Sequence, residues 1–372
     1  LGLLFGMPAC EQAGHTFTEY RLKATSDSIS LPRVKIEGMR SVRPVYYWDS
    51  TEQKGYFYSL WIGENPAVHK YAGQWGQYRP LDTFPLPEAA RVGPYASIEN
   101  FIIIKQDSFA LNIPKWVYKH RFLVMGSSSV DTVHKPKLFQ RGTYHLFMDI
   151  YDFIHPFVGP WMVASAYRRE GLAALANSEG HVPRWIMFHT KDTAQKILGM
   201  YMPPELEKYK ERVHIKHSQN RIFSATGMES VLYEYHLSGK KEIKHDLSCR
   251  YMEKSFDPES EKSYYAALYG SDHIKQIRWS PFYPDLIFLE VHEKGVYVED
   301  GYKKSFHEAD KNLLLYNYKE KRYVGRVDLP PTRELPLFHM QATEDGFYLF
   351  FRYGEGEKRT DVYRKYVLEK VN

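Results

Sequence analysis

Among residues whose type and setting could do chemistry, Cys10 stands first. It closes the stretch LGLLFGMPAC, in which Leu1, Leu3, Leu4 and Phe5 supply an apolar run, Ala9 a small residue and Cys10 a thiol, before the chain turns polar. That order suits export, acylation of the thiol and cleavage of the peptide bond in front of it, which would leave Cys10 as a lipidated N-terminus. Met7 and Pro8 stand where such sites usually carry Leu and a small residue; proline still fits an extended segment entering a protease. The expectation is a signal remnant over 1–9, a lipidated tether over 10–30 and one folded domain over 31–372.

The remaining candidates are weaker. Cys249, in DLSCRY, ends a strand pattern and reads as a small apolar filler. With two cysteines in the chain a disulfide framework is excluded. His214 and His217 in HIKH could share a metal only on a helix, because residues three apart on a strand point to opposite faces. Paired carboxylates across a cleft can hydrolyse glycosidic bonds. Asp149 with Asp152 in MDIYD, or Asp246 with Asp285 near strand ends, could play that part, although turn capping is the ordinary role of such aspartates. Trp61, Trp75, Trp161, Trp185 and Trp279 could stack on sugar rings or wedge between sheets. Phosphate-loop, dinucleotide, GxSxG and HExxH templates find no match, and HEKG and HEAD stop short of the last. The sequence therefore assigns no catalytic residue, no metal ligand and no cofactor.

The elements that must carry these residues are strands. Aromatic side chains make up 16% of the chain, with 30 Tyr and 21 Phe, and such residues pack well on a pleated, half-buried surface. No apolar run approaches the ~20 residues of a membrane span. The 50 basic and 45 acidic residues are interleaved, so no nucleic-acid stripe forms. Hairpin patterns start at Tyr56, Trp185, Val231 and Leu313, with turns through Gly63 to Pro66, Ser238–Gly239 and Lys319 to Lys321. Their offsets fit multiples of ~40 to 45 residues, the period of a propeller blade. Weaker patterns near 100, 150 and 280 fill the skipped steps, and GFYLFFRY with DVYRKYVLEKV closes the chain. PPELEKYKERV and EGLAALANSEG read as short helices between hairpins.

Around 273–293 the order of an apolar strand, Trp279-Ser280-Pro281, a turn with Asp285 and a second strand resembles the blade motif of TolB-like propellers. The C-terminal strand pair, the Cys10 motif and the length are similar to a family of bacterial propeller lipoproteins known only as a domain of unknown function. The resemblance implies an all-β fold, a β-propeller of six or seven four-stranded blades with helices only in inter-blade loops. In such a ring the terminal blade is often completed by strands from opposite ends of the chain. It further implies a monomer outside the cytoplasm, lipid-anchored in the periplasm or at the outer membrane, binding a protein, peptide or glycan at the channel mouth. The alternative is a polysaccharide-acting enzyme, a hydrolase or lyase, using carboxylates at that mouth.

Overall fold

The computed structural model describes residues 19–31, 40–41, 45–49, 51–62, 65–72, 81–86, 100–115, 119–125, 130–134, 157–158, 161–165, 177–189, 196–202, 213–218, 221–226, 230–236, 241–249, 272–280, 282–293, 311–329, 340–343, 346–353 and 360–371. Every regular element among them is a β-strand, as the aromatic-rich composition predicts.

The first strand, β1, is Glu19–Leu31. Next comes a sheet of β2 (Arg40–Ser41), β3 (Val45–Asp49), β4 (Lys54–Ile62), β5 (Ala67–Ala72) and β6 (Asp82–Pro85), with β2 and β3 both pairing β4. The second sheet holds β7 (Asn100–Lys105), β8 (Ser108–Lys115), β9 (Lys119–Met125) and β10 (Val130–His134). The third holds β11 (Phe157–Val158), β12 (Trp161–Ser165), β13 (Val182–His189) and β14 (Lys196–Met202). The fourth holds β15 (Val213–Ser218), β16 (Arg221–Thr226), β17 (Val231–His236) and β18 (Lys241–Asp246). A further meander follows, β19 (His273–Ser280), β20 (Tyr283–His292), β21 (Lys311–Asn317) and β22 (Arg322–Leu329). Last come β23 (Met340–Thr343), β24 (Gly346–Tyr353) and β25 (Thr360–Val371).

β1 completes that last group. It pairs antiparallel with β25 from Glu19↔Val371 to Leu31↔Asp361, with an irregularity between Ala24 and Ser28, so strands from the two ends of the chain share a sheet. Residues 19–31 are thus a strand, where the sequence suggested a tether reaching to residue 30. Lys23, Ala24, Ser26 and Ser28 are exposed, and the apolar alternation of Tyr20, Leu22 and Ala24 changes phase to Ile29 and Leu31 across the irregularity; the strand lies on the hydrogen-bonding edge of β25. One parallel pair, Tyr20↔Gly325, also joins β1 to β22 and merges the last two meanders into an eight-stranded sheet.

The hairpin positions hold, but the even spacing does not. The Trp185, Val231 and Leu313 hairpins are the third and fourth strands of their sheets, whereas the Tyr56 hairpin is β4 and β5, in the middle of its own. The pattern near 280 is β19 and β20, the first half of the sheet that Leu313 completes, not a separate repeat. Long connections, not an extra repeat, fill the interval. The helix expected over 203–213 lies almost wholly outside the described residues. Of the one expected over 170–180, the described part is a turn in which Asn177 Oδ1 accepts from the Glu179 and His181 amides and Gly180 takes φ +77°.

Apolar contact between sheets forms the core. Ile274, Ile277, Ile287, Leu289, Val291, Leu314 and Tyr316 pack on Phe223, Ala225 and Leu232 of the fourth sheet. The opposite face of β20 and β21, with Phe288, Leu313 and Leu315, packs on Phe347, Leu349 and Phe351 of β24. Strands of neighbouring sheets touch in series, from β12 through β15, β19, β23 and β3 to β7. Ring closure is not established among the described residues.

In an antiparallel meander the turns from first to second and third to fourth strand leave one end of the sheet, here termed the tail. The second-to-third connection, the entry and the exit lie at the other, the head. The tail turns between first and second strands are tight, as at 106–107, 219–220, 281–282 and 344–345. The four longest connections, 135–156, 166–181, 247–272 and 293–310, all belong to the head.

Candidate functional site

At the strand ends joined by two of those long connections lies a buried charged cluster. His273 opens β19, His292 closes β20 and Lys311 opens β21, and the register pairs His273 with His292 and His292 with Lys311. The residues therefore meet at the head, at the strand ends that 247–272 and 293–310 connect. Alternation puts Glu290 on the same face as His292, opposite Gln276. All five are buried, at the end of an apolar interface with β24. Arg278, next along β19 and also buried, donates to Gln276 Oε1.

His292 Nε2 lies 2.9 Å from Glu290 Oε1, and the His273 and His292 rings are 5.2 Å apart. Burial pushes the Glu290 carboxyl up, but the hydrogen bond from His292 and the charges of Lys311 and Lys275 outweigh it and hold the group below the usual carboxylate range. Burial, helped by the same lysines, keeps His292 below the ordinary imidazole value. Near neutral pH the pair is an ionised carboxylate accepting from a neutral imidazole. Lys311 is also lowered, by burial, with Glu290 opposing. Among the described residues, none donates a hydrogen bond to the buried Glu290 Oε2. A carboxylate oxygen in that state is costly, and it offers an acceptor to any hydroxyl or N–H group that reaches it.

A second buried carboxylate is fully engaged. Glu234 of β17 takes Arg221 Nη1 and His236 Nε2 on Oε1, both at 2.7 Å, and His245 Nε2 on Oε2 at 2.9 Å. Burial raises its pKa, yet the bonds from His245 and His236 and the charge of Arg221 bring it below the ordinary value. Tyr318 lies over the Arg221 guanidinium at 5.3 Å and closes this lock between the fourth and fifth meanders. Nearer the first sheet, Asp107 accepts from Tyr58 Oη at 3.0 Å and pairs with Lys70 Nζ at 3.0 Å, tying β4 and β5 to the β7–β8 turn.

Those residues singled out from sequence that the structure describes do not assemble. Asp246 closes β18 at the head and accepts from the Ser248 amide at 2.9 Å, an ordinary cap. Asp285 lies toward the tail of β20, paired with Lys319 at 2.7 Å. The two carboxylates thus sit at opposite ends of the sheets. His214 and His217 belong to strand β15, where a three-residue offset sends them to opposite faces. Among the described residues no group of three His, Cys, Asp or Glu converges as a metal site. Trp279 packs against the core and donates to Pro284 O at 3.1 Å, and Ser280 Oγ accepts from the Phe282 amide, so the WSP segment builds a tight tail turn. Trp61 stacks edge-on with His69. Cys249 is partly buried against the core beside Tyr323, a filler's position. Cys10, Trp75, Asp149 and Asp152 lie outside the described residues, as do the side chains of Trp161 and Trp185. Sequence reasoning missed Glu290 and His292, although a signal existed: two polar residues at i and i+2 in the otherwise apolar run LIFLEVH.

No family model and no curated protein matches the chain. Among solved structures, a candidate exported protein from Bacteroides fragilis superposes with a TM-score of 0.47 at 9% identity, covering 94% of this chain and 96% of that one. The WD40 domain of Toxoplasma gondii coronin gives 0.41 at 10%, over 94% and 77%. The RRP9 WD40 repeats give 0.42 at 11%, over 94% and 100%. Likeness this distant carries no argument about activity.

Proposed function

We propose that the chain is a closed propeller of six four-stranded blades, lipid-anchored through Cys10 outside the cytoplasm, that serves as a binding or scaffold module through its head end. Six meanders with strands from opposite chain ends in one sheet support the ring. The observation that carries the function is the asymmetry of the connections: the tail is built of short turns, while the four longest segments gather at the head. Long connections between rigid strands are where binding surfaces are made. The buried charge of Glu234 serves packing, whereas Glu290 Oε2, without a hydrogen bond among the described residues, lies near the strand ends that two of those segments connect.

The test uses the soluble chain from residue 11 onward, immobilised and challenged with cell-envelope glycans and peptides. Retention without product should occur, and it should vanish when 293–310 is replaced by a short Gly-Ser turn while the melting temperature holds. Retention unchanged by that replacement would refute a head-end site. Turnover abolished by a single carboxylate-to-amide change would establish the glycan-acting enzyme instead.

A further inference from the structure

We propose that the tail end faces the bilayer and the head end faces away from it, so that the ligand arrives from the aqueous side and is not drawn from the anchoring membrane. This rests on acylation at Cys10. β25 is a third strand, entered from the head through 354–359 and ending at the tail. Because β1 runs antiparallel to it, with Glu19 opposite Val371 and Leu31 opposite Asp361, β1 begins at the tail. The segment that carries Cys10 therefore leaves the fold at the short-turn end.

Lengths decide the orientation. From Cys10 to Glu19 the chain reaches at most about 30 Å, at roughly 3.3–3.6 Å per residue. β1 itself, thirteen residues long, spans roughly 40 Å from tail to head at about 3.3 Å per residue. A lipid on so short a lead cannot be carried past the head. At the tail Lys319 is paired with Asp285 and Arg322 with Glu320, which engages those two cations within the protein. Set by the length of the lead, the orientation should survive high salt, which one set by a basic membrane-binding patch would not.

The experiment places a donor dye at the tail by Glu320→Cys or at the head by Glu179→Cys, both exposed positions, in a Cys249→Ser background of the full-length precursor. The purified acylated protein is reconstituted into phosphatidylethanolamine and phosphatidylglycerol vesicles carrying an acceptor dye on the headgroup. Energy transfer should be clearly greater from 320 than from 179, and the difference should persist in 0.5 M salt. Equal transfer, or greater transfer from 179, on protein that floats with the vesicles would overturn the orientation while leaving the anchor intact. Wild-type protein that stays with the aqueous fraction, as Cys10→Ala protein should, would overturn the anchor and the orientation together.

Discussion

Tyr20 of β1 and Gly325 of β22 face each other in a parallel pair so close that a Cβ on residue 325 would stand 2.7 Å from the Tyr20 carbonyl oxygen. The missing side chain is what lets the two backbones meet and the last two meanders become one sheet. Gly325→Val should drive β1 off β22 and cost about 1–3 kcal/mol, as overpacking does. Melting temperature, with hydrogen exchange at Tyr20 as the local readout, checks this. Exchange at Tyr20 as slow in the variant as in the parent would show that the pairing contributes nothing.

Glu234 offers a sharper loss. Its two oxygens serve three donors, and an amide in its place keeps only one acceptor and turns an N–H₂ group toward imidazoles and a guanidinium. Glu234→Gln should lower stability by about 2–4 kcal/mol, somewhat under the full value for a broken buried pair because Arg221 and His236 keep some water access. Denaturant unfolding measures it, and a change under about 1 kcal/mol would mean that the network does not hold the sheets.

How far the sequence can be read follows from these same residues. Strand content was legible because apolar and aromatic residues cluster on pleated runs, as in LIFLEVH and LLLYNY. The sharing of one sheet by the two chain ends was anticipated from ring closure, but β1 itself was not, since its alternation changes phase between Ala24 and Ile29 and its antiparallel partner lies some 340 positions away, as in the Lys23–Glu369 ion pair. Repeat spacing misled because long head connections mimic missing repeats. The Glu290 cluster depends on three strand ends meeting, a register that local patterns do not encode.

That shared sheet predicts a strong effect of truncation. β25 lies between β24 and β1, pairing with both along most of its length, so removing residues from Asp361 onward takes away the centre of a sheet and leaves β1 without its antiparallel partner. Two exposed strand edges should follow, with insolubility or loss of cooperative unfolding. A truncated chain that stays soluble and melts at the parental temperature would remove the argument that the two ends close the fold.

The head cluster sets a pH dependence whose sign can be worked out. In the unfolded chain His292 takes up its proton near pH 6.5, whereas in the fold burial and the neighbouring lysines hold it neutral to lower pH. The unfolded state therefore binds more protons as pH falls through that value, and stability declines with it. Glu290 adds a second loss, because its folded carboxyl resists protonation below the ordinary 4.5. Lys311, lowered from 10.5, contributes a loss only at the alkaline end of that series, where the unfolded chain is protonated first. The melting temperature should fall on acidification from about pH 7 and more steeply below about pH 4.5. His292→Gln retains an N–H donor for Glu290 Oε1 but cannot titrate, so it should flatten the stretch between about pH 7 and 5 relative to the parent. Parallel curves for the two proteins across that range would show that the proton is taken up elsewhere.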